Sequence, residues 1–258
     1  MTLLAGRRLV VTGVLTEFSL ASAVVRLALA QGAEVLLTSP VCRAHRLTSR
    51  VAPRLGVTAP VLELDVTLEQ DLADLAAAVR NAGWDRVDGV VHALGYLPDG
   101  WADSTFAGTP WSIASQAVQV TAWSLAAVVE ALDPLLVRGS AVVGITSDTA
   151  QTWGSADWLQ VAHAALAATA RGLARELGPR GVRVNLVSSG PVRTLLARAL
   201  PGHDALAEEF DRRAPLGWDA ASGEATAKAV VMLLSPWFSA TTGQVVTVDG
   251  GAGAVGVA

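Results

Sequence analysis

Seven short apolar runs recur along this chain, and a helix-like stretch follows nearly every one. The runs cover residues 8–12, 34–38, 61–65, 87–93, 140–146, 182–187 and 245–248. Most are continuously apolar rather than alternating, as strands buried on both faces are. Between them apolar residues return at helical spacing. Leu20, Val24 and Leu27 follow Ser19 and stop at Gly32, and Leu72, Leu75 and Val79 share one face of residues 69–81. Residues 43–55, 113–131, 159–177 and 224–234 read as further helices. Ser19 stands where an N-cap belongs and Gly32 where a helix ends. Alternation at this spacing implies parallel strands joined by crossover helices. The expected fold is therefore one α/β domain over residues 1–258 with a doubly wound parallel sheet of about seven strands. No linker, repeat or low-complexity tract divides it, and a loop at about 190–215 is expected to hold short helices.

Composition removes several classes of function. With 52% hydrophobic and 16% charged residues, the chain is not a disordered one. A net charge of -4 and a pI of about 5.5 leave no basic footprint for a phosphate backbone, so no nucleic-acid partner is expected. One cysteine, Cys42, excludes an intrachain disulfide and a cysteine zinc site, and the four histidines show no metal-ligand spacing. Mean hydropathy is high at +0.43, yet the longest apolar stretch, 114–129, is interrupted by Gln116, Gln119, Thr121 and Ser124. The expectation is a cytoplasmic protein with no membrane partner and no metal.

Gly13 sits where the first run gives way to the first helix. Without a Cβ it lets backbone N–H groups approach a pyrophosphate, and the helix N-terminus adds partial positive charge, as in a Rossmann-type sheet. The usual G-x-G-x-x-G spacing is absent. The segment reads Gly13-Val14-Leu15-Thr16-Glu17-Phe18-Ser19-Leu20-Ala21, which by itself is equally an ordinary strand–helix turn. It resembles, however, the G-x5-S-I-A turn of enoyl-acyl-carrier-protein reductases, a branch of the short-chain dehydrogenase/reductase superfamily. Further segments resemble the same family in the same order: 62–66 (LELDV), 88–96 (DGVVHALGY), 182–185 (VRVN), 190–195 (GPVRTL), 213–218 (RAPLGW) and 240–244 (ATTGQ). The likeness is closest to the mycobacterial long-chain type and runs through nearly the whole chain.

The resemblance implies a nicotinamide dinucleotide at the carboxyl edge of the sheet. Gly13, Ser19 and Leu20 would meet the pyrophosphate, and Asp65 and Val66 the adenine. Leu94 and Gly95 would line the ribose and nicotinamide, and Val192 and Thr194 would hold the carboxamide and phosphates. The loop at 190–215 would bind substrate. Asp65 also suits a cap of the following helix, and Gly95 a plain turn. The second strand ends in Thr38-Ser39-Pro40 with no acid for a ribose 2′-OH, while Arg43 and Arg46 suit either a 2′-phosphate or solvent. The closest family members also lack the acid and use NADH, so NAD is expected, with NADP the alternative.

The superfamily's catalytic Tyr-x6-Lys is missing. Its tyrosine position matches Ala156 and its lysine position matches His163, and the aromatic expected near the end of the fifth strand is replaced at about Ser147. The alignment is firm because the chain holds one tyrosine, Tyr96, and one lysine, Lys228. Loss of a single oxyanion donor typically costs ~10²–10³ in rate. The candidate replacements are His163, which titrates near neutrality when unperturbed and would also bond the ribose, then Tyr96 and Asp148, with Ser147 and Asp157 behind them. Trp101, Trp111, Trp123, Trp153 and Trp158 fall on segments that surround substrate in the family, so indoles are expected in the pocket wall beside a bulky, planar or cationic substrate. Core filling is the alternative for each.

Three readings stand at this point. One is NAD(P)H-dependent reduction of an activated C=C or C=N bond of a small-molecule or acyl-carrier-bound substrate, in a specialised biosynthetic setting. The others are a non-redox cyclase, isomerase or dehydratase on the same scaffold, and a catalytically silent NAD-binding homologue. The Ala-rich helices at 113–131 and 159–177 imply assembly as a homotetramer.

Overall fold

The structure, a computed structural model, describes residues 2–40, 43–96, 105–149, 157–199 and 202–254. Seven strands, β1 (Arg8–Val11), β2 (Glu34–Ser39), β3 (Leu62–Glu63), β4 (Val87–His92), β5 (Leu136–Thr146), β6 (Arg183–Ser189) and β7 (Val245–Val248), form one sheet in the order β3-β2-β1-β4-β5-β6-β7. Every pairing is parallel. This is the Rossmann-type doubly wound sheet that the strand–helix alternation implied.

Successive strand residues point to opposite faces, and here both faces are covered. On one side Val10, Leu36, Val90, Val142 and Val184 meet α3 (Glu69–Asn81), α5 (Ser124–Leu132) and α6 (Trp158–Leu177) through Leu75, Val79, Leu125, Val128, Leu132 and Leu166. On the other, Leu9, Val11, Leu37, Val91, Val143 and Val187 meet α1 (Leu20–Ala30), α2 (Arg43–Leu55) and α9 (Glu224–Leu234). Each fully buried Val or Leu contributes about 1.5–3 kcal/mol. That double burial is why the strands read as unbroken apolar runs.

The helix expected at 113–131 is longer and interrupted. It begins as α4 (Trp111–Val118), passes through a π turn at Gln119–Trp123 and continues as α5. The stretch Trp111–Leu135 is long and apolar enough to cross a membrane, but Leu125, Val128 and Leu132 are packed under the sheet. The loop after β6 carries α7 (Leu195–Ala199) and α8 (His203–Arg213). It is pinned by Trp218, whose indole N–H donates to the Pro191 carbonyl at 2.7 Å. A Cβ on Gly190 would lie 2.6 Å from that indole ring, so only glycine allows the contact.

β1 has β2 on one side and β4 on the other. The chain therefore winds outward in both directions from the β1–β4 seam, and the crevice beyond the carboxyl ends of these strands is where such sheets bind ligands.

Candidate active site

A cavity of about 1690 Å³ opens at that crevice. A site for a single drug-sized ligand occupies roughly 300–1,000 Å³, so this one has room for two molecules side by side.

Its floor begins at the β1–α1 turn. Gly13 has φ +81°, and a Cβ there would lie 2.0 Å from the Ala93 carbonyl oxygen of the strand alongside. No other residue fits so close to β4. Ser19 does not act as the expected side-chain cap of α1. Its Oγ instead accepts from the N–H groups of Leu15 at 3.2 Å and Thr16 at 3.0 Å, folding the turn back on itself. With its hydroxyl spent there, α1 starts with no side-chain cap and no acidic residue in its first turn. Its N-terminal N–H groups and partial positive charge stand available to an anion. Gly13, Ser19 and Leu20 all line the cavity.

Beyond β3, Asp65 and Val66 form the next part of the wall. Asp65 Oδ1 accepts from Thr67 N–H at 2.9 Å and Thr67 Oγ1 at 2.6 Å, and Asp65 N–H donates to Asp71 at 2.7 Å. The residue thus makes an Asx turn leading into α3 as well as facing the cavity. After β4 come Leu94, Gly95 and Tyr96, and after β6 come Val192 and Thr194. The Thr194 hydroxyl accepts from Ala197 N–H at 3.2 Å and caps α7.

β5 and α6 supply the remaining side. Thr146, Ser147 and Asp148 end the strand, and Asp157, Gln160 and His163 open the helix. Asp157 Oδ1 accepts from Gln160 N–H at 3.0 Å as the N-cap of α6, and burial raises its pKa. His163 Nδ1 and Thr146 Oγ1 are hydrogen-bonded at 3.1 Å. Burial pushes the pKa of His163 down to about 4. This corrects the expectation of a group titrating near neutrality: at pH 7 the imidazole is neutral.

All twelve expected site residues thus meet in one wall: Gly13, Ser19, Leu20, Asp65, Val66, Leu94, Gly95, Tyr96, Asp148, His163, Val192 and Thr194. Arg46 is exposed and outside it, and Ala156 lies outside the described residues. The expected indole lining is not found among the described residues. Trp111 and Trp123 are 73% and 48% exposed, and Trp158 stacks on Phe106 with centroids 5.7 Å apart. None of the three lines the cavity, while Trp101 and Trp153 lie outside the described residues.

Several wall residues went unread in the sequence. Thr146 was one residue from the Ser147 and Asp148 that were singled out. Gln116, Gln119 and Val120 reach the cavity from α4 and the π turn, and His203, Glu209 and Arg213 reach it from α8. In the sequence, Gln116 and Gln119 stood out only as polar interruptions of the apolar stretch 114–129. His203 is buried, which lowers its pKa.

Sheet order, cavity position and an uncapped helix over the first turn define a Rossmann-type α/β protein of the nucleotide-crevice kind. The sequence profile of the enoyl-(acyl carrier protein) reductase family matches residues 13–253, and the chain belongs to that family. It is 38% identical to an enoyl-acyl-carrier-protein reductase (NADH) of Mycolicibacterium smegmatis and 37% identical to one of Mycobacterium avium, each over 97% of both chains. It is 30% identical to the corresponding protein of Aquifex aeolicus over 100% of this chain and 95% of that one.

Proposed function

We propose that this protein is an NADH-dependent reductase of an activated C=C or C=N bond, with an enoyl thioester as the substrate class to test first and a specialised-metabolite substrate as the divergent case. The observation that carries this reading is the convergence of the twelve expected residues on one cavity with room for a dinucleotide and a second molecule. The residues fit such a cofactor. Gly13 keeps the first turn low against β4, and α1 offers its N–H groups without an acidic neighbour.

The bound dinucleotide would supply the hydride. Gly13, Ser19 and Leu20 would hold the pyrophosphate, Asp65 and Val66 would flank the adenine, Leu94 and Gly95 would border the ribose and nicotinamide, and Val192 and Thr194 would hold the carboxamide and phosphates. His163 takes the place of the family's lysine as a neutral hydrogen-bonding group. In the tautomer in which Thr146 Oγ1 donates to Nδ1, the Nε2–H is the donor toward ribose or substrate. A neutral imidazole donates a hydrogen bond but is a poor source of a proton, so the proton that completes the reduction comes from Tyr96, Asp148 or water. β2 ends at Ser39 with no acid, and the one arginine described near it, Arg46, is exposed. Among the described side chains at the end of β2, none is fixed as a 2′-phosphate partner, which supports NADH over NADPH.

Calorimetry with NADH, NAD, NADPH and NADP tests the reading, followed by NADH consumption with enoyl thioesters. NADH is expected to bind more tightly than NADPH. Absence of binding by all four at millimolar concentration removes it. Binding without consumption of NADH across C=C and C=N substrates transfers the case to a cyclase, isomerase or dehydratase, or to a silent homologue.

A further inference from the structure

Val120 packs with Leu94 against the cluster that contains Val66, and all three line the cavity. Val120 and its neighbour Gln119 arrive there on the π turn, which also packs against α6, the helix of His163. Such turns are rare and recur at functional sites. The hydrogen bonds show how this one is held.

The Ser124 N–H reaches back five residues to the Gln119 carbonyl. In an α-helix the same N–H would serve Val120, so the turn takes that donor away. The Ser124 hydroxyl replaces it, donating to the Val120 carbonyl at 2.6 Å. A serine hydroxyl has one proton, and it is spent in that bond. His92 Nε2 lies 2.7 Å from the same oxygen and must therefore carry a proton and donate it. The imidazole is thereby fixed as the Nε2–H tautomer, with Nδ1 bare. Nδ1 is buried with no partner among the described residues, as is the hydroxyl of Thr121 on the same turn. His92 and Ser124 are both 0% exposed and neither lines the cavity. A fully buried imidazole facing a serine adds little packing that an apolar side chain would not. What it adds here is a donor at the point where the helix loses one.

We propose that His92 and Ser124 form a lock on the π turn, acting as positioning residues that set Gln119 and Val120 in the wall receiving the dinucleotide. The proposal rests on the dinucleotide reading of the cavity. His92 sits on β4 and Ser124 on α5, so the lock ties the helix to the strand that ends beside the same cavity.

The test uses the whole protein, with NADH binding followed by fluorescence and the imidazoles followed by 15N NMR. Ser124→Ala and His92→Leu are each expected to weaken NADH binding by roughly three- to tenfold. Because the pair acts as a unit, the double variant should be no weaker than either single one. His92→Gln places an amide N–H near the position of Nε2 and should restore binding to within about threefold of wild type. NADH affinity within about twofold of wild type in both Ser124→Ala and His92→Leu overturns the proposal. So does a wild-type spectrum with Nδ1 of His92 protonated and Nε2 bare, an outcome that needs no variant to fold. A wild-type protein that binds no dinucleotide overturns the cavity reading and this proposal together. That result is distinguishable from failure of the proposal alone, in which wild type and variants bind equally well.

Discussion

A neutral imidazole and a protonated amine make different demands on their surroundings. An amine at the position of His163 would carry charge at every physiological pH, while the imidazole, pushed down to about 4, carries none. It works through geometry, as a planar ring oriented by Thr146 at 3.1 Å. Removing the ring should therefore remove a directed donor. We expect His163→Ala to lower NADH oxidation with an accepted substrate by at least about tenfold. His163→Lys should keep dinucleotide binding, because lysine is the residue that the family resemblance puts there. Wild-type turnover in His163→Ala would make the histidine structural and move the donor to Tyr96, Asp148 or a water molecule.

Among the secondary elements, β4 and α6 carry the two histidines whose pKa is pushed down to about 4, the fully buried His92 and the half-buried His163. His92 and His163 both lie near pKa 4, each chiefly through burial, and His92 also through the proximity of His163. Unfolded histidines titrate near 6.5. Between these values the unfolded chain binds more protons than the folded one, so stability rises with pH from about 4 to about 6.5 and is level above that. For His92 alone the full difference is about 3 kcal/mol, of which roughly 2 kcal/mol is already lost at pH 5. Urea unfolding at pH 5 and pH 7 checks this, and a midpoint unchanged between them would contradict it. The strands and their order of appearance were legible because double burial leaves continuous apolar runs such as Leu9–Val10–Val11. The cavity residues at the strand ends were legible through the family resemblance of segments such as 62–66 and 88–96, which carried their roles. The π turn was not, because one extra residue in a helix leaves no mark on an apolar pattern that continues through it. Ser19 does stand at the N-cap of α1, but its hydroxyl bonds backward, a choice that depends on the path of residues 13–18 and that the sequence did not show. Trp111 and Trp123 fall on segments that surround substrate in the family, with core filling the alternative, and their exposure fits neither place.

For the whole molecule, exposed aromatic surface on the outer helices bears on assembly. Trp111 and Trp123 are 73% and 48% exposed on the α4–α5 stretch, and the Ala-rich α6 packs beside it. Large exposed apolar side chains on an apolar helix are a feature of association surfaces. We expect a homotetramer of about 106 kDa, four times the 26.5 kDa chain, by multi-angle light scattering. A monomer mass throughout the micromolar range would refute it.

The strand order has a consequence for how the chain is made. Leu9 of β1 pairs with Val35 on one side and with Gly89, eighty residues later in synthesis, on the other. At about 5–20 residues per second, the ribosome takes roughly 4–16 s to supply that second partner. Throughout that interval the strand destined for the middle of the sheet is an unprotected apolar edge, the form of strand most prone to pair with a neighbouring chain. The seam that creates the ligand crevice in the finished protein is thus the nascent chain's period of greatest exposure, when chaperone capture matters most.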